Sequence, residues 1–126
     1  MTSPSPAPID FREALDALDE HWSPRVVARV NDQYVKVAKV LGERAWHDHA
    51  DEDELFLVVY GTLRIQLEGD REVTIGPGQS FVVPRGVRHS PVAEEEVGLV
   101  LVETVTTAQF GTEAVDYARS IEEQLG

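Results

Sequence analysis

The residues that could do chemistry are concentrated in the stretch WHDHADEDELFLVVYG, residues 46–61. His47 and His49 stand one residue apart, and Glu54 follows a short acidic loop at the start of an apolar run. Side chains two apart in an extended strand point to the same side, so the two histidines are expected to share a face. Imidazole nitrogens and carboxylate oxygens bind divalent metals, although such residues also occur on ordinary surfaces.

A fourth candidate, His89, lies much further along the chain in PRGVRHS, residues 84–90. The Pro84-x-Gly86 sequence before it is typical of a tight bend that returns a strand across a barrel. Three imidazoles and one carboxylate would suit manganese, iron, cobalt, nickel, copper or zinc, and the spacing alone does not choose among these ions. The chain has no cysteine, which excludes thiolate ligands, disulfides and a cysteine nucleophile.

The length and charge of the chain limit the other classes of function. With 126 residues it suits one compact domain. It carries 11 Lys and Arg against 23 Asp and Glu, for a net charge of −12, so binding to nucleic acid or to anionic lipid is not expected. The longest apolar run, residues 55–60, is too short to cross a membrane. No basic and apolar leader is evident at the start, and we expect a cytoplasmic location.

The elements that must position these residues can be predicted from the hydrophobic pattern. Apolar residues at helical spacing after residue 9, with the Asp10–Glu13 spacing of a capping box, predict an N-terminal helix that Pro24 ends. Short apolar runs then follow one another, separated by turn residues, as in β-sandwiches and small barrels. The predicted organisation is a flexible tail (1–8), an N-terminal helix (9–22), a barrel (about 25–105) and a C-terminal helix (about 112–125).

The spacing of glycines and candidate ligands resembles the two motifs of the cupin superfamily. The residues that match the first motif are Gly42, His47, His49, Glu54 and Gly61, and those that match the second are Gly78, Pro84, Gly86 and His89. The resemblance covers the whole β region. It implies an all-β double-stranded β-helix, a jelly-roll-like barrel, in which His47, His49, Glu54 and His89 bind one divalent metal ion per chain. The sequence departs from the motifs in a gap after Gly42 that is one residue short, and in Ala93, which stands where an asparagine is common.

Two functions are compatible with this resemblance. The first is a mononuclear metalloenzyme, of isomerase or dioxygenase type, that acts on a small organic molecule inside the barrel. The second is a non-catalytic module that binds a metal or small ligand for storage or sensing. Residues that share parity with Glu54, or that could bind a carboxylate, are candidates for substrate contact, although strand positions facing the solvent or the core are ordinary alternatives. These candidates are Phe56, Val58, Tyr60, Arg64, Gln66 and Arg88.

Apolar residues on the parity opposite the candidate ligands predict an apolar strip on an outer sheet face. Its members are Trp46, Leu55, Leu57 and Val59. Large apolar patches are rare on the surface of monomers, so either the N-terminal helix or a second subunit should cover this strip. We therefore expect a homodimer, with coverage by the helix as the competing interpretation.

Overall fold

A computed structural model describes residues 7–126 of the protein, so most of the predicted tail, residues 1–6, lies outside the described residues. Strand-forming residues separated by turns produce seven strands flanked by two short helices. The elements are α1 (Phe11–Asp16), β1 (Arg25–Val30), β2 (Gln33–Glu43), β3 (Glu54–Tyr60), β4 (Leu63–Leu67), β5 (Arg71–Ile75), β6 (Ser80–Val83), β7 (His89–Thr104) and α2 (Ile121–Leu125). This architecture confirms the predicted all-β jelly-roll-like barrel with terminal helices.

The strand β7, 16 residues long, holds the barrel together. Its beginning pairs with β4, and its longer second part pairs with β2 on one side and β3 on the other. An acidic run, residues 94–96, separates two apolar stretches of this strand in the sequence. The structure joins them, because the acidic side chains of residues 94–96 are exposed while their backbone continues the extended conformation. All strand pairs in the described residues are antiparallel.

Alternation along the strands separates two apolar clusters. Inside the barrel, Phe56 and Val58 pack with Leu99 and Leu101. Outside it, Leu57 and Val59 pack against Leu15 of α1. The N-terminal helix therefore covers part of the predicted outer strip, as the competing interpretation expected, whereas Trp46 remains 39% exposed. Association with a second subunit stays a prediction.

The helix α1 is shorter than the predicted range 9–22. Asp10 caps its beginning as the sequence indicated, by accepting a hydrogen bond from the Glu13 backbone N–H at 3.1 Å. It ends at Asp16 because the next residues join the barrel instead. His21 forms a β-bridge with Lys39, and the Trp22 indole donates to the Leu41 carbonyl at 2.8 Å. Among the described residues, no helix is both long and apolar enough to span a membrane.

The C-terminal segment, residues 105–126, differs more strongly from its prediction. Helix was expected over about 112–125, with Leu125 on an apolar face, but α2 begins only at Ile121. Leu125 is 53% exposed, and the buried residue of α2 is the polar Gln124. The rest of the segment forms turns that cover one end of the barrel, since Phe110 packs edge-on against the His47 ring, 5.1 Å between centroids. Tertiary contacts therefore override the weak helical periodicity.

Candidate metal centre

Four side chains from distant parts of the chain converge at the end of the barrel that the C-terminal segment covers. These are the four residues predicted from the sequence: His47, His49, Glu54 and His89. One nitrogen or oxygen from each lies within 4.8 Å of the others, and none of the four residues is more than 5% exposed. Donor atoms that share one ion through bonds of about 2.1 Å lie ~3–4 Å apart, so small side-chain shifts would complete the coordination.

Backbone pairing sets the positions of two histidines. His47 and His89 form a β-bridge in which each backbone N–H donates to the other's carbonyl, at 3.0 and 2.9 Å. His49 is held by its own carbonyl, which accepts from the Gly86 N–H at 2.8 Å. Glu54 is the first residue of β3, as the start of the apolar run predicted. The tight bend before His89 therefore contacts the HxH segment directly.

Hydrogen bonds on the far side of two rings orient their free nitrogens. The Nδ1 of His47 lies 2.9 Å from the Ala45 carbonyl, and the Nδ1 of His89 lies 2.9 Å from the Val87 carbonyl. A carbonyl can only accept, so each Nδ1 carries the proton and each Nε2 has a lone pair available. Backbone acceptors of this kind commonly orient histidines that bind metals.

The Nε2 atoms of His49 and His89 indicate whether the site suits a metal. His49 Nε2 and His89 Nε2 each lie 3.4 Å from Glu54 Oε1, yet neither makes a hydrogen bond among the described residues. Buried polar atoms are rarely left without a partner, because desolvation without compensation costs roughly 1–3 kcal/mol. A cation bound between the rings and the carboxylate would satisfy these atoms. The donor set therefore fits a divalent metal ion.

The four groups shift one another's ionisation. Burial, and then the proximity of His89, lower the pKa of His47 from 6.5 to about 4. Burial also acts to lower the pKa of His49, but the Glu54 carboxylate outweighs it and raises that pKa above its usual value. For Glu54, burial is outweighed by the contacts with His49, His89 and Glu103, which hold its pKa well below its usual range. The carboxylate is therefore ionised, and His47 neutral, near neutral pH.

A partly enclosed cavity of about 50 Å³ adjoins the site, and two of the four residues, His47 and Glu54, contribute to its wall. Apolar side chains from the barrel and the C-terminal segment form most of its wall, together with a few buried polar groups. The residues that line it are Trp22, Pro24, Lys36, Ala38, Val40, His47, Glu54, Phe56, Pro91, Leu99, Leu101, Glu103, Gln109, Phe110 and Gln124.

The structure brings one of the predicted substrate residues, Phe56, into this wall, with its ring 6.2 Å from that of His89. Val58 is buried in the interior cluster. Tyr60 lies on the outer face, where it packs near α1 and donates to Glu96 at 2.7 Å. The register of β3 against β7 shifts between Val58 and Tyr60, and this bulge breaks the parity from which its inward position was predicted.

The other three candidates also lie away from the cavity. Arg64 forms salt bridges with two glutamates on the outer surface, because the neighbouring positions of β4 point inward. Gln66 has the same outward parity and lines a shallow surface groove beside Trp46. Arg88 lies near the rim, 3.2 Å from the Trp46 carbonyl and 3.6 Å from Glu113.

Three buried polar residues of the wall, Lys36, Glu103 and Gln124, were missed by the sequence reasoning. A signal for the first was present, since Lys36 and Lys39 have opposite parity on β2, so one of them must face the interior. Burial and the nearby Glu54 carboxylate raise the pKa of Glu103 well above its usual value. No pattern in the sequence indicates Gln124, whose burial depends on the path of the C-terminal segment.

Comparison with known proteins agrees with this fold and site. A curated relative, the uncharacterized protein YdbB of Bacillus subtilis (strain 168), is 36% identical over 63 residues, which cover 50% of this chain and 56% of YdbB. The matched region thus spans little more than half of that relative.

Solved structures match over more of their length. A cupin-2 domain containing protein from Shewanella frigidimarina NCIMB 400 is 44% identical, with a TM-score of 0.74 over 76% of this chain and 93% of that one. Protein NMB1881 from Neisseria meningitidis is 31% identical, with a TM-score of 0.72 over 78% and 99%. Hydroquinone 1,2-dioxygenase from Sphingomonas sp. TTNP3, with 4-hydroxybenzoate bound, is 18% identical, with a TM-score of 0.70 over 79% and 32%, a likeness of fold alone.

The family match covers most of the barrel and every candidate ligand. Residues 34–105 match the cupin domain, a range that includes both histidines of the HxH pair, Glu54 and His89. This range is more than half of the chain, and it agrees with the strand order and with the solved relatives. The protein belongs to the cupin family.

Proposed function

We propose that the protein is a mononuclear metalloenzyme that acts on a small organic molecule inside the barrel, by chemistry of the isomerase or dioxygenase type. One observation carries the proposal. Two buried imidazole nitrogens, on His49 and His89, face the Glu54 carboxylate at 3.4 Å without hydrogen-bond partners among the described residues. Histidines retained only for packing would be expected to satisfy these atoms.

The residues of the site have separable roles in this proposal. The backbone acceptors of His47 and His89 hold both rings in the tautomer that a metal requires. Glu54 supplies the negative charge, and Phe56 and Phe110 exclude water from the adjoining space. A bound metal would polarise an oxygen of the substrate, and iron would also give access to dioxygen. Four protein donors around a six-coordinate ion leave two positions for exchangeable ligands.

The dioxygenase type has one supporting comparison. The fold is shared with hydroquinone 1,2-dioxygenase, which supports only that such a barrel can house this chemistry. An aromatic ring would need more room than the present cavity of about 50 Å³ offers, since an engineered cavity of about 150 Å³ binds benzene. A substrate of that size would require movement of the C-terminal segment.

The small cavity and the burial of the candidate ligands favour a second candidate, a non-catalytic module that binds a metal or small ligand. All four candidate ligands are buried to 5% exposure or less. A site closed on all sides in solution would suit storage or a structural ion better than turnover. The two functions differ in whether the metal has a position that other ligands can reach.

Metal content tests the feature that both functions share. Protein purified without chelators should contain about one equivalent of metal per chain, and His49→Ala should lose it. His21→Ala is a matched control, because His21 lies on the surface and pairs with Glu96 at 2.8 Å, outside the site. Full occupancy in His49→Ala, or equal loss in His21→Ala, would contradict the assignment.

Access to the metal separates the enzyme from the binding module. Cobalt(II) should be substituted into the protein, because its visible absorption changes with coordination number. A small bidentate acid such as oxalate should change the spectrum if an exchangeable position exists. The iron-loaded protein should then be tested for oxygen consumption with hydroquinones and diketones. The protein loaded with each metal in turn should be tested for isomerisation of small hydroxy-carbonyl compounds. A cobalt spectrum that ignores every added ligand would favour the binding module.

A further inference from the structure

A buried polar cluster forms part of the cavity wall beside the candidate metal ligands. Lys36 of β2 donates to Glu103 of β7 at 3.0 Å and to Gln124 of α2 at 2.5 Å. All three residues are at most 1% exposed, and all three line the cavity together with His47 and Glu54. We name these three residues the polar wall.

The polar wall is not explained by its contribution to stability. Moving two charged groups out of water costs several kcal/mol for each, and well-packed apolar residues of similar volume are often as stable or more so. In addition, Glu103 Oε1 has no hydrogen-bond partner among the described residues, although Oε2 accepts from Lys36. An ammonium group and an unsatisfied carboxylate oxygen in an otherwise apolar wall indicate a place for a polar ligand.

The charges around the cavity favour an anion. This step rests on the proposed function, which places a divalent cation among the four ligands. Burial and Glu54 raise the pKa of Glu103, so that ion and the Lys36 ammonium together outweigh the Glu54 and Glu103 side chains by at least one positive charge. An uncompensated positive charge is costly in a space of low dielectric, and a bound organic anion would offset it. Among the charged residues of this wall, Lys36 is the group that a carboxylate could contact as a hydrogen-bond acceptor.

Gln124 occupies one of the donors that such a carboxylate would use. Its amide oxygen accepts from Lys36, while its amide nitrogen donates to the Arg119 carbonyl at 2.9 Å. It projects from a helix of only five residues near the end of the chain. An amide oxygen accepts hydrogen bonds as a carboxylate oxygen does, so the Gln124 side chain can be replaced by a ligand without leaving Lys36 unpaired.

We propose that Lys36 anchors the carboxylate of a small organic acid, which is the substrate or ligand of this protein, and that this carboxylate displaces Gln124. A second donor group of the acid would then reach the metal, so the ligand is held at two points. The cavity of about 50 Å³ cannot receive such an acid while the C-terminal segment is in place. Binding therefore requires α2 to move away from the barrel.

Opposite effects of two substitutions test this anchor. The probes are malonate and its neutral counterpart malonamide, and their dissociation constants are measured by calorimetry on metal-loaded and metal-free protein. Wild-type protein should bind malonate more tightly than malonamide. Gln124→Ala removes the internal competitor and should tighten malonate binding several-fold. Lys36→Met combined with Glu103→Gln removes the anchor without leaving an unpaired buried charge, and it should weaken malonate binding by about tenfold or more.

Proteolysis gives a readout that does not depend on the metal. Trypsin cleavage after Arg119, which adjoins α2, should become faster when malonate displaces Gln124, and malonamide should have little effect. If the protein proves unable to bind a metal but both substitutions still change malonate affinity as expected, the anchor stands and the proposed function is wrong. Tightening by Gln124→Ala without weakening by the double variant, or the reverse, would overturn the anchor. Unchanged affinity in both variants would also overturn it.

Discussion

Replacing Lys36 by methionine isolates the energetics of the buried ion pair. The substitution keeps the volume and the apolar stem, but it leaves the Glu103 carboxylate without its donor at 3.0 Å and the Gln124 oxygen without its donor at 2.5 Å. Both hydrogen bonds involve the charged Lys36 ammonium, and a hydrogen bond to a charged group contributes about 1.5–3 kcal/mol. Their sum agrees with the roughly 3–5 kcal/mol lost when one partner of a buried pair is removed.

Chemical denaturation of the metal-free protein, followed by circular dichroism, measures this loss. Lys36→Met should lower the free energy of unfolding by about 3–5 kcal/mol. Adding Glu103→Gln should restore most of it, because no unpaired charge is then buried. A coupling energy of about 2 kcal/mol or more between the two sites is expected from the double-mutant cycle. Lys39→Met is the matched control on the same strand, since Lys39 is partly buried and, within residues 7–126, donates only to the Leu18 carbonyl.

The outcome that refutes this reasoning is specific. If Lys36→Met costs no more than Lys39→Met, or if the double variant is less stable than Lys36→Met alone, the two charged groups do not depend on each other as the structure implies. The pair would then be hydrated in solution, and the polar wall would be open to water.

Four further predictions concern the site and the assembly. Metal affinity should fall as the pH is lowered through the raised pKa of His49, because protons compete for that ring, and a competition titration at several pH values measures this. His47, with a pKa lowered to about 4, should stay neutral in metal-free protein above that pH, as NMR would measure. As the pH falls from 6.5 to 4, the unfolded chain takes up this proton before the folded protein does, so the free energy of unfolding should fall by on the order of 3 kcal/mol. His47→Gln should remove this pH dependence. Gly111→Ala should destabilise the protein by about 2 kcal/mol or more in thermal melts, because its Cβ would lie 1.9 Å from the Asp48 carbonyl oxygen at a φ of +59°, whereas Gly76→Ala should have little effect. Light scattering at micromolar concentration should give the mass of a dimer, and a monomer mass would mean that α1 suffices to cover the outer strip.

The parts of the site that the sequence predicted are those that short-range rules determine. Alternation places both histidines on one face of the HxH segment and Glu54 on the inner face of β3. That these three residues meet His89 at one metal ion was implied by the resemblance to the cupin motifs. Alternation was wrong for Tyr60, because at a bulge between Val58 and Tyr60 two steps along β3 match one step along β7. Bulges depend on the partner strand, which is distant in sequence.

The C-terminal segment shows a different limit. Its apolar residues suggested a long helix, but the contacts that determine its path are polar and come from elsewhere in the chain. Gln124 bonds to Lys36, and Tyr117 accepts from the Ala45 backbone N–H at 3.0 Å. Helix propensity describes each residue without its distant contacts, so the length of α2 could not be predicted from the local sequence.

The β-bridge between His47 and His89 links the identity of the ligands to the alignment of two distant strands. A slip of one residue in this pairing would turn His89 to the opposite face of its strand. A chain misaligned in this way would offer three donors instead of four and would hold a metal ion more weakly. By mass action, the ion would then draw the population toward correctly aligned chains. A metal ion that binds these four residues would therefore favour the correctly aligned chain during folding.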